Sequence, residues 1–425
     1  MIKSSINNQC KIFLEQYKEM WWETDKNFHE LGLKTGYWYK KKKERETEKF
    51  IKTFIEYIEK FPAGPKEKII WKEKVNTLIT NFVNSSNIID KKHKDILFSK
   101  ELMKSTEEFV NEARSFNDSM AMEDIGQAMR NVWIMNIIQL LLNKKVEFTP
   151  AMFGYSMLYP YTDNYLDDNN ISMECKKNFN SRFEVRLKGE KISPENEYEI
   201  DIFNLVSRIE SQYERKEYSE VFQSLLLIHN AQRKSIIQQD KKSVPYEKDI
   251  LGISFEKGGS SVLADGYLVN GNLSKKNAFF FFGYGILLQI CDDLQDAKED
   301  YDNNHMTIIS QIATKYPLDS ITNSLINFTL KLTDDMKEFS GDNIDVLKDI
   351  IRKNCILLIY FAIAKNKKFY SGCYYNEIKN YFPYTPRFMN GFYKRLKKKY
   401  SRLKDCYNGI KVEEILMYAF QNEEN

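Results

Sequence analysis

The chain has 425 residues, 42% of them hydrophobic and 14% aromatic, enough to bury a substantial core. A net charge of +3 does not call for a nucleic-acid partner. Only 9 Pro and 17 Gly argue against a loop-rich β protein, and no apolar run nears the roughly 18 residues of a membrane span, so a soluble protein is expected.

The six cysteines (Cys10, Cys175, Cys291, Cys355, Cys373 and Cys406) are scattered without a CxxC pair. They read as reduced thiols of a cytoplasmic protein. The opening MIKSSINNQCKIFLEQ lacks the apolar core of a signal peptide.

Helical periodicity begins early. Lys40 to Lys43, followed by alternating acids and bases, reads as a solvated helix. Phe50, Ile51, Phe54, Ile55 and Ile58 follow at helical spacing, and Pro62 stops that helix. Residues 1–105 are expected to form a helical extension packed on a core domain, residues 106–425. Within that domain residues 132–142, 152–166, 202–209, 221–237, 279–294 and 347–364 read as buried helices. Residues 169–199 are polar and read as a loop or irregular insertion. The expectation is an all-α protein of roughly a dozen helices. Residues 387–404 carry eight basic side chains, among them Arg387, Lys394 and Lys399. They suit either a solvated helix face or a peripheral surface for anionic lipid or diphosphate.

Two aspartate clusters carry the chemistry. Asp163, Asp167 and Asp168 end an apolar helical stretch, with Asp163 and Asp167 one turn apart on one face. Asp292, Asp293, Asp296 and Asp300 follow AFFFFGYGILLQIC, and Asp292, Asp296 and Asp300 fall in one i, i+4, i+8 stripe. Clustered carboxylates on an apolar helix need a cation, and hard oxygen donors without His or Cys point to Mg²⁺. Two such helices facing each other across a bundle would bridge a diphosphate through the metal, with an apolar, aromatic cavity below for a hydrocarbon chain. His229, on an apolar helix, reads as a satisfied core residue. Arg233, on the same helix, reads either as a surface cation or as a diphosphate sensor.

Gly285-x-x-x-Gln289-x-x-Asp292-Asp293-x-x-Asp296 resembles the second aspartate-rich motif of the trans-prenyl diphosphate synthases. Asp163-Asn164-x-x-Asp167-Asp168 resembles their first, with Asn164 where an Asp usually stands. Lys257 in FEKGGSSVLADG sits where that family has a diphosphate-touching Lys, and Gly126 and Arg130 resemble part of its basic segment. The likeness spans roughly residues 110–310 and extends to the class I terpene synthases. It implies an isoprenoid synthase-type helical bundle with a central apolar cavity, dependent on Mg²⁺. Lys257, Arg130, Gln289 and Arg233 would bind the diphosphate. Gln127 and Ala128 replace two basic residues of the family, and no Arg-Arg pair closely follows the first cluster. Lys176 and Lys177, or Arg182 and Arg186, are candidate substitutes. The departures favour a terpene synthase that ionises and cyclises one linear prenyl diphosphate. The alternatives are chain elongation with isopentenyl diphosphate, head-to-head condensation of the squalene synthase kind, and a non-catalytic subunit of a prenyl synthase complex. A homodimer stays open.

Overall fold

A computed structural model describes residues 6–29, 31–85, 90–167, 171–239, 244–341, 343–404 and 406–420. Helices account for 77% of it and strands for 1%, so the chain is all-α. In chain order the helices are α1 (Ile6–Glu23), α2 (Tyr37–Glu59), α3 (Pro65–Ser85), α4 (Lys91–Leu97), α5 (Lys100–Phe116), α6 (Met122–Leu141) and α7 (Pro150–Asp167). There follow α8 (Met173–Lys188), α9 (Glu197–Gln212), α10 (Ser219–Ser235), α11 (Ile250–Asn270), α12 (Lys275–Gln295) and α13 (Ala297–Asn303). The last are α14 (Ile308–Ile312), α15 (Asp319–Asp334), α16 (Ile344–Lys365), α17 (Gly372–Ile378), α18 (Pro386–Tyr400) and α19 (Val412–Phe420). No helix among the described residues is long and apolar enough to cross a membrane.

The chain forms two units that are each discontinuous in sequence, where the reading above expected one cut near residue 105. The first comprises residues 1–28 and 108–359, the second residues 29–107 and 360–425. Helix α1 therefore belongs with the large bundle rather than with the extension. The reason is its aromatic stripe: Phe13, Tyr17 and Trp21 are buried, Tyr17 stacks on Phe279 at 4.4 Å, and its hydroxyl donates to the Phe279 carbonyl at 2.9 Å.

In the first unit α11 packs more extensively on α12 than any other pair of helices does. The cause is glycine. A Cβ on Gly258 would lie 2.5 Å from the Gly285 carbonyl oxygen, and one on Gly285 would collide with the backbone of Gly258. The Gly258-Gly259 pair thus serves close approach within an unbroken α11. Helix α7 packs on α6, α9 and α11. Its interior Pro160 gives up the bond to the Ser156 carbonyl one turn earlier.

Residues 173–188, expected as loop, form α8. Ser172 caps it by accepting from the Cys175 N–H, Gly189 closes it at φ 80°, and its apolar buried stripe is Phe179, Phe183 and Leu187. That stripe is only three residues wide in a polar segment, which hid it.

In the second unit Ile58, Phe61, Trp71, Val75, Val412, Ile415 and Ala419 form a core between α2, α3 and α19. A two-stranded antiparallel ladder pairs Cys406 with Lys411 and Tyr407 with Ile410. Asn408 and Gly409 turn it with φ of 50° and 77°, the positive values a tight hairpin needs. The Lys40 to Lys43 run is not simply solvated. Lys40 and Lys43 are buried, and the Lys43 ammonium donates to the Ser85 carbonyl at 2.6 Å and to Glu46 at 2.9 Å.

Candidate functional site

Helix α12 starts on a Ser274 cap and buries Ala278, Phe280 to Leu287, Ile290 and Cys291. It then reaches Asp292 and Asp293 and ends at Gln295. The stripe expected on one helix is split: Asp296 is a junction at φ −96°, ψ 10°, and Asp300 belongs to α13. Helical bonding nevertheless runs across the junction: the Asp296 N–H bonds to Asp292 O and the Asp300 N–H to Asp296 O, both at 2.9 Å.

Asp292 is solvent-accessible, yet protein surrounds it on most sides. That desolvation, with the charges of Asp296 and Asp300, raises its pKa, while Arg130 and Lys257 pull it down. The structure therefore brings together Asp292, Asp296, Asp300, Lys257 on α11 and Arg130 on α6, from three separate stretches of sequence. Asp293 is buried and its pKa is pushed up to about 7, chiefly by burial. Gln289 donates to its Oδ1 at 2.8 Å, and its Oδ2 has no hydrogen-bond partner. Asp300 is bound by His305 Nδ1 at 3.1 Å. Burial lowers the His305 pKa, but the bond to Asp300 and its charge more than offset that, and the net shift is upward.

Asp163 and Asp167 stand on α7 as expected, one turn apart, but their side chains lie outside the described ones, as Asp168 does entirely. Arg233 pairs with Glu184 on α8 at 2.5 Å. Of the substitutes considered for a second basic pair, Arg182 and Arg186 are engaged. Arg182 grips Glu199 through two bonds of 2.8 Å, and Arg186 binds Glu210 at 2.5 and 2.7 Å. These bidentate pairs tie α8 to α9.

One residue escaped the sequence reading. Asp265 lies on α11, two turns past Lys257, at about 12 Å along the helix. It is fully buried, and neither carboxylate oxygen has a hydrogen-bond partner. Burial pushes its pKa far above the carboxylate range, and only the Asn131 amide opposes this. Tyr155 and Tyr284 feel its charge from α7 and α12. The signal was present as a single acid within the otherwise apolar VLADGYLV.

His229 is a core residue, as its helix suggested. Its Nε2 lies 3.2 Å from the Asn180 carbonyl and its ring meets Phe183 edge-on at 5.1 Å. Burial lowers its pKa to about 4; Arg233 and Lys188 add to this, against Glu184 and the Asn180 carbonyl. The unfolded chain, with an ordinary imidazole near 6.5, takes up a proton first as pH falls. Stability from the neutral ring is thus complete above about pH 6.5 and drains away toward pH 4, by roughly 2–3 kcal/mol at pH 4.5. His229→Gln keeps a donor for Asn180 without a titrating ring. Denaturant unfolding at pH 7 and 4.5 is expected to show a smaller acid loss in the variant by that amount. Equal losses would show that the imidazole does not protonate on unfolding.

No known protein-family model matches the chain, and neither does any curated protein or solved structure.

Proposed function

We propose that the first unit is a Mg²⁺-dependent class I isoprenoid synthase acting on a prenyl diphosphate, with cyclisation of one linear substrate as the preferred reaction. The observation that carries this is Asp292: an accessible carboxylate set among other carboxylates, with Arg130 and Lys257 beside it. Mixed acids and bases in one desolvated place suit a ligand that brings both metal and phosphate. The donor set fits Mg²⁺, since it offers carboxylate oxygens and an orphaned buried Asp293 Oδ2. Asp292 and Asp296 would hold the ion from α12, with Asp163 and Asp167 as the expected ligands from α7. Bound there, Mg²⁺ supplies neutralisation of the charge that develops on a leaving diphosphate.

Lys257 and Arg130 complete the shell of that diphosphate with charge-assisted hydrogen bonds, orienting it as the carbon–oxygen bond breaks. Gln289 steadies Asp293 rather than touching the ligand directly. The aromatic residues of α7 and α12, Tyr155 and Tyr284 among them, keep water from the hydrocarbon and offer ring faces to a carbocation. Engagement of Arg182 and Arg186 by glutamates leaves neither for a second diphosphate, which favours cyclisation over condensation with isopentenyl diphosphate.

Incubation with prenyl diphosphates of ten to twenty-five carbons in Mg²⁺, with and without isopentenyl diphosphate, tests the proposal. Hydrocarbon or alcohol formed without the five-carbon unit is the expected result. Longer diphosphates formed only with it would establish elongation instead. No product in either condition would favour a non-catalytic subunit.

A further inference from the structure

The second unit contains a cleft of about 760 Å³, within the range of small-molecule sites. Its lining includes Lys40, Lys41, Lys367, Lys379 and Arg387, and among the described residues no acidic one. Such an imbalance is not explained by composition, since acids and bases are nearly equal over the whole chain, at 60 and 63.

The five cations are held in different ways. Lys40 is 5% exposed, and its ammonium donates to the carbonyls of Lys379 at 2.5 Å and Asn380 at 3.4 Å. Those bonds occupy two of its three donors and bring no counter-charge. Burial and the neighbouring charge of Lys379 lower its pKa to about 8, against the smaller opposing effect of Glu44. Lys379 is bound to the neutral Asn376 amide at 2.6 Å. The Lys367 ammonium stands 5.1 Å over the Tyr375 ring. Of the five, Lys41 has an acidic partner, Glu44, at 2.7 Å, and that carboxylate is also taken by the Thr385 N–H at 2.8 Å. Arg387 lies in the first turn of α18, where the helix dipole adds positive potential. Charges of one sign crowded around a concave surface repel each other and are stabilised by an anion.

We propose that this cleft binds a soluble small molecule bearing two or more phosphate charges, independently of Mg²⁺ and of the aspartate site in the first unit. The cations take the phosphates, and Tyr37 and Tyr375, which also line the cleft, lie against the organic part. Carbonyl-anchored Lys40 forms the preset floor, while the accessible Lys367 and Arg387 close on the ligand from the rim.

Calorimetric titration of the intact chain with inorganic pyrophosphate, in EDTA and at low ionic strength, provides the test. EDTA silences metal-dependent binding at the aspartates, so failure here leaves the proposed catalytic reading untouched. Micromolar binding is expected, weakening as salt is added. The double variant Lys367→Glu/Arg387→Glu changes two exposed side chains and should leave the circular dichroism spectrum unchanged while lowering affinity by about tenfold or more. Absence of binding, or equal affinity in the variant, overturns the proposal. Sedimentation with phosphatidylserine vesicles separates the sources of phosphate. Retention on vesicles that the double variant loses, with no calorimetric binding of pyrophosphate, would assign the cleft to a lipid surface and overturn a soluble ligand.

Discussion

Asp292→Asn is expected to lower diphosphate release from a prenyl diphosphate in Mg²⁺ by about 100-fold or more, without lowering the melting temperature. The substitution keeps the size and one oxygen of the side chain and removes only its charge. In the free protein that charge is disfavoured by desolvation and by Asp296 and Asp300, so its loss relieves repulsion and the fold gains slightly in metal-free buffer. On the proposed reading, the same charge would retain the metal against the departing diphosphate. Loss of turnover with stability intact therefore separates a catalytic from a structural role. Full turnover of the variant, or of the parent protein in EDTA, would defeat the assignment.

Gly285→Ala is expected to destabilise the protein by about 3 kcal/mol, a drop of roughly 10 °C in melting temperature for a unit of this size. The added methyl would occupy the position of the Gly258 backbone, which is not a side-chain end that can swing away. Helices α11 and α12 would have to separate by the width of a methyl group, and Lys257 and Asp292 ride on that pair. Affinity for pyrophosphate in Mg²⁺ should fall along with stability. Gly126→Ala is a control, since a Cβ there meets nothing within 4 Å. A thermal scan in which the two variants unfold at the same temperature would show that the close approach is not a determinant of the fold.

These expectations draw on different amounts of sequence information. The all-α class, the buried character of α12 and the spacing of Asp292, Asp296 and Asp300 were legible, because each depends on residues within a few turns of one another. The close approach at Gly258 and Gly285 was half legible: each glycine stood out, but not their apposition. What misled was equally local. Polar residues outnumber the buried stripe of α8, so it read as loop. The lysine run read as solvent-facing although Lys40 and Lys43 are buried.

Sequence by itself determined that this chain is helical and that it carries clustered carboxylates on an apolar helix, since 3.6-residue periodicity and unlike neighbours are properties of short segments. Only the tertiary structure decided which cations those carboxylates meet. Arg130 and Lys257 come to Asp292, whereas Arg182, Arg186 and Arg233 are taken up by glutamates of neighbouring helices. It also decided that Asp265 is buried and that five cations from two distant stretches of the chain line one cleft. The physical reason is that charge pairing and desolvation act through space over several ångströms, between residues that helix packing assembles from distant parts of the sequence.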